Sequence, residues 1–158
     1  MTASTTVSSS LIRRRTAVIL LAGLGSLTAL GALGALAQFS GNAWVMGSFG
    51  ASCVLLFGFP DVPFSRPRNL VGGHLLSTTV GLLVLHYGGS EWYFMALAGA
   101  LALMLMLATD TVHPPAGSNP VIIFLAQPGW DFLVMPTLAG VMVLMVISQV
   151  WRRAGRFR

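Results

Sequence analysis

Residues 110–124 read DTVHPPAGSNPVIIF, an acid, a histidine, three prolines, a glycine and an asparagine set between two strongly apolar stretches. Read as a loop, this segment leaves a chain that crosses a bilayer five times. Read as a broken span, it makes six crossings. The fold turns on that choice, and composition and charge bear on it from outside the segment.

The chain has 158 residues, of which 55% are hydrophobic and 8% charged. That balance lies outside the range of soluble globular domains and marks an integral membrane protein with the lipid bilayer as its first partner. At about 20 apolar residues per span, the length holds at most about six compact spans and leaves no stretch for a soluble domain between them. All nine basic residues are arginines, at 13–15, at 66 and 68, and at 152, 153, 156 and 158. No basic stripe interleaves with aromatics, so the net charge of +5 describes topology and excludes a nucleic-acid partner. Cys53 lies in an apolar run, which predicts a free buried thiol and no disulfide framework.

The N-terminal MTASTTVSSSLIRRR and the run ending ALGALA imitate the basic, apolar and small-residue sections of a signal peptide. The run at 17–37, however, is 21 uncharged residues, beyond the usual apolar section of about 7–15 and long enough to span. It is expected as an uncleaved first helix behind a disordered cytoplasmic tail at 1–16. Further uncharged runs follow at 42–59, 70–87, 92–109, 112–127 and 132–151, and a basic cytoplasmic tail closes the chain at 152–158.

With the arginine triplet before the first span in the cytoplasm, six crossings return the C-terminal arginines there and place Arg66 and Arg68 on the same side. The connections after residues 37, 87 and 127 then face outward without a basic residue, and Trp44, Tyr87, Trp92, Tyr93 and Trp130 form an outer aromatic belt. Five crossings would strand one arginine-rich terminus on the wrong side. The charge pattern therefore makes 110–124 a crossing segment in a multi-pass protein, for which the bacterial inner membrane is the expected location.

An ungapped match agrees. GASCVLLF at 50–57 and GSNPVIIF at 117–124 share Gly, small, small polar, any residue, Val, two branched aliphatics and Phe, at an offset of 67 residues. Each lies in the second of three spans, so 17–87 and 92–151 become equivalent units. A unit with an odd number of spans inserts its copy upside down. The expected fold is an all-α integral membrane protein of six membrane segments in a 3+3 inverted repeat, with two discontinuous helices.

Both second spans carry helix-breaking chemistry. MGSFGAS at 46–52 sets two glycines and two serines where a continuous helix favours Ala or Leu. In HPPAGSNP, Pro114 and Pro115 lack amide donors, Gly117 permits unusual dihedrals, and Pro120 suits the first turn of a new helix capped by Ser118 or Asn119. Two helix starts from opposite leaflets, near Gly50 to Ser52 and at Pro120, would make a small electropositive chamber lined by Ser48, Ser52, Ser118 and Asn119. Gly and Ser within a span ordinarily serve helix packing, and a proline pair ordinarily makes only a kink. The flanking His, Gly, Ser, Asn and third proline exceed what a kink needs. His113, beside the break, is the leading group to carry a coupled proton, since imidazole titrates near neutrality; Asp110 and His74 are the other ionisable candidates. His86, near the outer interface, reads as structural or solvated. Arg66, Arg68 and Asn69 would line a cytoplasmic mouth that attracts anions.

GSFGASCVLLFG, PRNLVGGHLLS and HPPAGSNP, in this order, closely resemble the membrane domain of the HPP family, whose name is the triplet His113, Pro114, Pro115. The resemblance implies an integral membrane protein of transport type, with nitrite as the substrate of some relatives. It departs at Arg66, where the family pattern implies Gln, which adds a charge at the mouth. The expectation is a transporter or channel for a small inorganic anion, most of all nitrite. It is not an enzyme, needs no cofactor and no metal, and at this size is expected to be a homo-oligomer. The rival readings are a structural or regulatory membrane subunit without its own pathway, and a membrane metalloenzyme using His74, His113 and Asp110. Against the second, no HxxxH or HExxH spacing occurs.

Overall fold

The computed structural model describes residues 9–154, and among them the chain is all helical, with no strand. The α-helices are α1 (Ser9–Ser40), α2 (Gly47–Cys53), α3 (Pro67–Gly88), α4 (Trp92–Ala108), α5 (Asn119–Ala126) and α6 (Ala139–Ala154). Tighter 3-10 turns at Pro63–Ser65, Pro114–Ser118 and Trp130–Leu133, and wide π turns at Val54–Gly58 and Val134–Leu138, join or extend them. Among the described residues, three stretches are long and apolar enough to cross a membrane, Leu11–Ser40, Pro67–Gly88 and Trp130–Ala154, while Gly47–Gly58 and Trp92–Ala108 are apolar but shorter. In lipid, hydroxyls within such helices bond inward, and Thr28 Oγ1 and Thr79 Oγ1 each donate to a carbonyl one turn back at 2.8 Å.

α1 begins at Ser9, upstream of the expected start at 17, so Arg13, Arg14 and Arg15 ride on the helix instead of in a tail. Leu and Arg are strong helix formers, and no Gly or Pro interrupts 9–16. Thr16 Oγ1 closes back on the Ile12 carbonyl at 3.0 Å. The rest of the expected N-terminal tail, 1–8, lies outside the described residues, as does 155–158; Arg152 and Arg153 sit in the last turn of α6.

The molecule has an arginine end and an aromatic end. Arg152 meets Asp61 at 3.5 Å. Phe57, a few residues before Asp61, abuts Gly25 of α1 and meets Trp151 edge-on at 6.3 Å. The arginine triplet lies a further ~15 Å back along α1, at about 1.5 Å per residue, and so belongs to this same end. At the other end of α3, the His86 ring stacks on Trp130 at 5.3 Å.

Two segments cross between these ends in opposite directions. After α1, residues 41–46 run largely without helix from the aromatic end, Met46 is extended (φ −116°, ψ 147°), and α2 carries the chain toward Asp61. After α4, residues 111–113 run without helix from the arginine end, His113 is extended (φ −131°, ψ 99°), and Pro114–Ser118 with α5 carries the chain toward Trp130. The two helical runs start at Gly47 and Pro114, again 67 apart. Burial repeats position by position across 46–59 and 113–126, with Ser52 facing in as Asn119 does, and Phe57 as Phe124 does.

Glycines let these segments approach the long helices. A Cβ on Gly73 of α3 would lie 2.8 Å from the His113 Cβ and 2.9 Å from the Thr111 carbonyl oxygen. A Cβ on Gly140 of α6 would meet the Phe49 ring and lie 3.1 Å from the Trp44 carbonyl oxygen. Both glycines and both carbonyls are 67 apart. Around this frame, one apolar cluster joins Leu33, Phe49, Cys53, Leu56, Val141 and Leu144, and another joins Leu82, Leu85, Ala102, Ile123 and Phe124. Cys53 is free and buried, as its apolar surroundings predict.

Candidate functional site

Leaving helical geometry inside a bilayer exposes backbone groups that only protein can satisfy. The turn into 111–113 solves part of this at the end of α4. Asp110 takes a left-handed conformation (φ 53°), and the amides of Asp110 and Thr111 close back on the Leu107 and Met106 carbonyls at 3.3 and 3.0 Å, a Schellman termination. α3 supplies the rest. Arg68 Nη2 donates to the Thr109 carbonyl at 2.7 Å, and Asn69 Nδ2 donates to the Val112 carbonyl at 2.9 Å. Arg68 and Asn69 thus clamp backbone at the expected mouth. Pro63, Phe64, Arg66, Arg68, Asn69, Asp110 and Val112 line a cavity of about 360 Å³ there.

Behind that cavity the structure gathers His74, His113, Ser52 and Asn119, each fully buried. One Asn119 side-chain atom lies 3.0 Å from His74 Nδ1 and 3.4 Å from the His74 carbonyl oxygen. A carbonyl only accepts, so this atom is the amide nitrogen and it donates to Nδ1. Neutral His74 then carries its hydrogen on Nε2, which donates to Ser52 Oγ at 3.0 Å. At the far side, His113 Nδ1 lies 2.7 Å from the Phe64 carbonyl oxygen and must be the donor there. His113 Nε2 is therefore a bare lone pair, 2.9 Å from Ser52 Oγ, and the Ser52 hydroxyl donates to it. The Ser48 carbonyl, 3.1 Å away, also accepts from this hydroxyl, so the single Ser52 hydrogen is shared between that carbonyl and His113 Nε2. With the Ser52 hydrogen on His113, hydrogens point one way along the row, from Asn119 through His74, Ser52 and His113 to Phe64.

Asn119 also starts a second branch. Its amide donates to Thr78 Oγ1 at 2.9 Å, Thr78 and Thr137 hydroxyls lie 3.3 Å apart, and Thr137 donates to the Met46 sulfur at 3.5 Å. Thr78, Thr137 and the Phe64 carbonyl were not among the sequence candidates. Thr78 lies one helical turn beyond His74 and on its face, a signal the spacing carried; Thr137 and the carbonyl had none. Two buried polar atoms here, Ser48 Oγ and Asn119 Oδ1, have no hydrogen-bond partner among the described residues, and such groups are costly unless something pairs with them.

Other expected residues sit elsewhere. Asp110 caps α4 beside the cavity, apart from the histidine pair. Ser118 is exposed, bonds back to the Pro115 carbonyl at 2.8 Å, and borders a shallow surface groove with Ala51, Val54 and Pro114. Gly50 and Gly117 are half-buried with open space where a Cβ would stand. α5 starts at Asn119 with Ser118 at its N-cap position and Pro120 in its first turn, as expected, but a 3-10 turn at Pro114–Ser118 runs straight into it through the helical Ser118 (φ −83°, ψ −11°), so the helical run as a whole begins at Pro114. Pro114 and Pro115 therefore occupy its first two positions, where they offer no amide, and the Ala116 amide is taken by the His113 carbonyl at 2.9 Å. Of the two helix ends expected to attract an anion, only that of α2 has amides at its first positions.

Comparison with known proteins matches the family model described as "HPP, transmembrane region" over residues 12–158. The chain belongs to the HPP family. Two Dictyostelium discoideum relatives, each described only as a transmembrane protein, are 35% identical over 72% of this chain and 32% identical over 73% of it. The aligned regions cover 43% and 40% of those relatives, so the HPP chain spans less than half their length. No solved structure matches. The HPP triplet itself divides its labour: His113 joins the buried row, Pro115 is buried beneath it, and Pro114 faces outward.

Proposed function

We propose that this HPP-family chain forms a transmembrane path for a small inorganic anion, with nitrite as the first substrate to test. It is read as a transporter and not an enzyme. Its six segments, α1 to α3 and α4 to α6 with the two broken crossings, form a 3+3 inverted repeat. The observation that carries the reading is the pair of oppositely directed segments, each turning from extended to helical 67 residues apart, that meet where buried Ser52 of one lies 2.9 Å from buried His113 of the other. Broken helices meeting at the middle of a bilayer are how many transporters build a site. α4, with 17 residues, reaches the lower limit of about 17 for a span.

In this reading the arginine end is cytoplasmic, and Arg66 and Arg68 draw anions into the cavity. The α2 start and Ser48 Oγ supply donors beyond it. The preference for nitrite rests on the family resemblance; the geometry supports a small, polar solute. In proteoliposomes, uptake of nitrite should be saturable and exceed that of a neutral solute, with nitrate, formate and chloride ranking the selectivity. Absence of saturable uptake for every anion, with and without a pH gradient, overturns the reading.

A further inference from the structure

We propose that His74, Ser52 and His113 form a proton relay that opens at the arginine-lined cavity through the Phe64 carbonyl, with the Asn119 amide as its polarity switch. The proposal rests on the transport reading for its coupled solute but not for its proton path. Each neighbouring pair in the row is within 3.0 Å, both imidazoles and the hydroxyl are fully buried, and with the Ser52 hydrogen turned from the Ser48 carbonyl to His113 Nε2 the assigned hydrogens all point toward the cavity. The groups around it are few. The histidine rings face each other at 5.1 Å, the Phe49 ring stands edge-on to His74 at 5.5 Å, and Arg66, Arg68 and Asp110 line the cavity at the outlet.

The transfer balances. When the Asn119 amide turns its N–H away from His74 Nδ1, a proton from hydronium or from the protonated weak acid of the anion binds there. The Nε2 hydrogen passes to Ser52 Oγ, the Ser52 hydrogen passes to His113 Nε2, and the His113 Nδ1 hydrogen leaves to water in the cavity once His113 and the Phe64 carbonyl part. One proton enters, one leaves, and all three side chains end neutral. Reversed, the row has a His74 Nδ1 hydrogen in need of an acceptor and a His113 Nδ1 lone pair set against the Phe64 carbonyl. An Asn119 amide flip answers the first need, because it turns Oδ1, which lacks a partner among the described residues, onto that hydrogen; the flip gives up the 3.4 Å bond to the His74 carbonyl, and the Thr78 hydroxyl can donate to Oδ1 instead. The second is relieved only when His113 and Phe64 part. Each proton is thereby tied to a movement of the broken segment relative to the Pro63–Ser65 turn.

The test is proton influx into proteoliposomes holding a pH-sensitive dye, under a pH gradient, with and without nitrite, with nitrite uptake followed in parallel. Wild type should acidify the lumen. Ser52→Ala, which keeps both imidazoles, should lower influx at least tenfold, and Ser52→Thr, which restores a hydroxyl, should recover most of it. Equal influx in Ser52→Ala and wild type overturns the relay, as does nitrite uptake without proton movement. Proton influx that depends on Ser52, with no anion uptake, supports the relay while overturning the transport reading. Should Ser52→Ala not fold, ¹⁵N spectra of the wild-type imidazoles decide: His74 protonated at Nε2 and His113 at Nδ1 are expected, and the same tautomer at both overturns the relay.

Discussion

At Gly73, a single missing methyl decides whether the histidine triplet can approach α3. Gly73→Ala would place its Cβ 2.8 Å from the His113 Cβ and 2.9 Å from a backbone oxygen, neither of which can swing aside. The strain of about 1–3 kcal/mol from overpacking exceeds the gain of about 1 kcal/mol from helix propensity. Thermal unfolding in detergent should show Gly73→Ala destabilised and Gly34→Ala, which meets open space, unharmed or stabilised. Asp110 illustrates the opposite case, a candidate for chemistry whose backbone has the more definite task. Its left-handed conformation (φ 53°) costs an ordinary L-residue about 1–2 kcal/mol. Asp110→Gly should therefore raise stability and Asp110→Val lower it. If Asp110→Asn keeps wild-type proton influx, Asp110 is a cap and not a carrier. The sequence marked Asp110 as unusual, since an acid at the end of an apolar run is legible. What Gly73 makes room for was not, because the partner is some forty residues away in the chain.

At the scale of elements, HPPAGSNP was legible as a break but not in its details. Two prolines are compatible with the first positions of a helical run and hostile to its interior, so the run starts at Pro114 and continues through Pro120, whose ring also sits in a first turn of α5. Starting there removes the amides that an anion would seek, a consequence visible only once the start is located. The break is held by α3, chiefly through Asn69 on the Val112 carbonyl. Asn69→Ala leaves that carbonyl without its donor, at a cost of about 1–3 kcal/mol for a buried group. Hydrogen exchange should then rise at residues 111–113 and 116 while α4 stays protected; unchanged exchange would show that the clamp is dispensable. α1 teaches the same lesson in reverse. Its helix extends back over the arginines because local propensity favours it, whereas the expectation of a tail followed charge alone.

For the whole molecule, the proposed topology predicts that cysteines introduced at Asp61 and Ser90, both exposed, label from opposite faces of the membrane in a Cys53→Ser background. Labelling of both from one face would overturn the six-crossing arrangement. Composition alone determined that this is a membrane protein. Arginine placement predicted the common end at which the structure sets Arg66, Arg68 and Arg152, and an ungapped match at 67 residues predicted the spacing of the two helical starts. These features are legible because hydropathy, charge and proline act locally and leave local marks. Tertiary structure alone decided which polar residues meet. The positions 67 residues from His74 and His113 hold Val141 and Met46, both apolar and buried, so the spacing shared by the two helical starts does not extend to the polar row. A hydrogen-bond row needs atoms within about 3 Å, and Ser52, His74 and His113 reach that distance only when three separate segments pack together; no pattern along one chain encodes it.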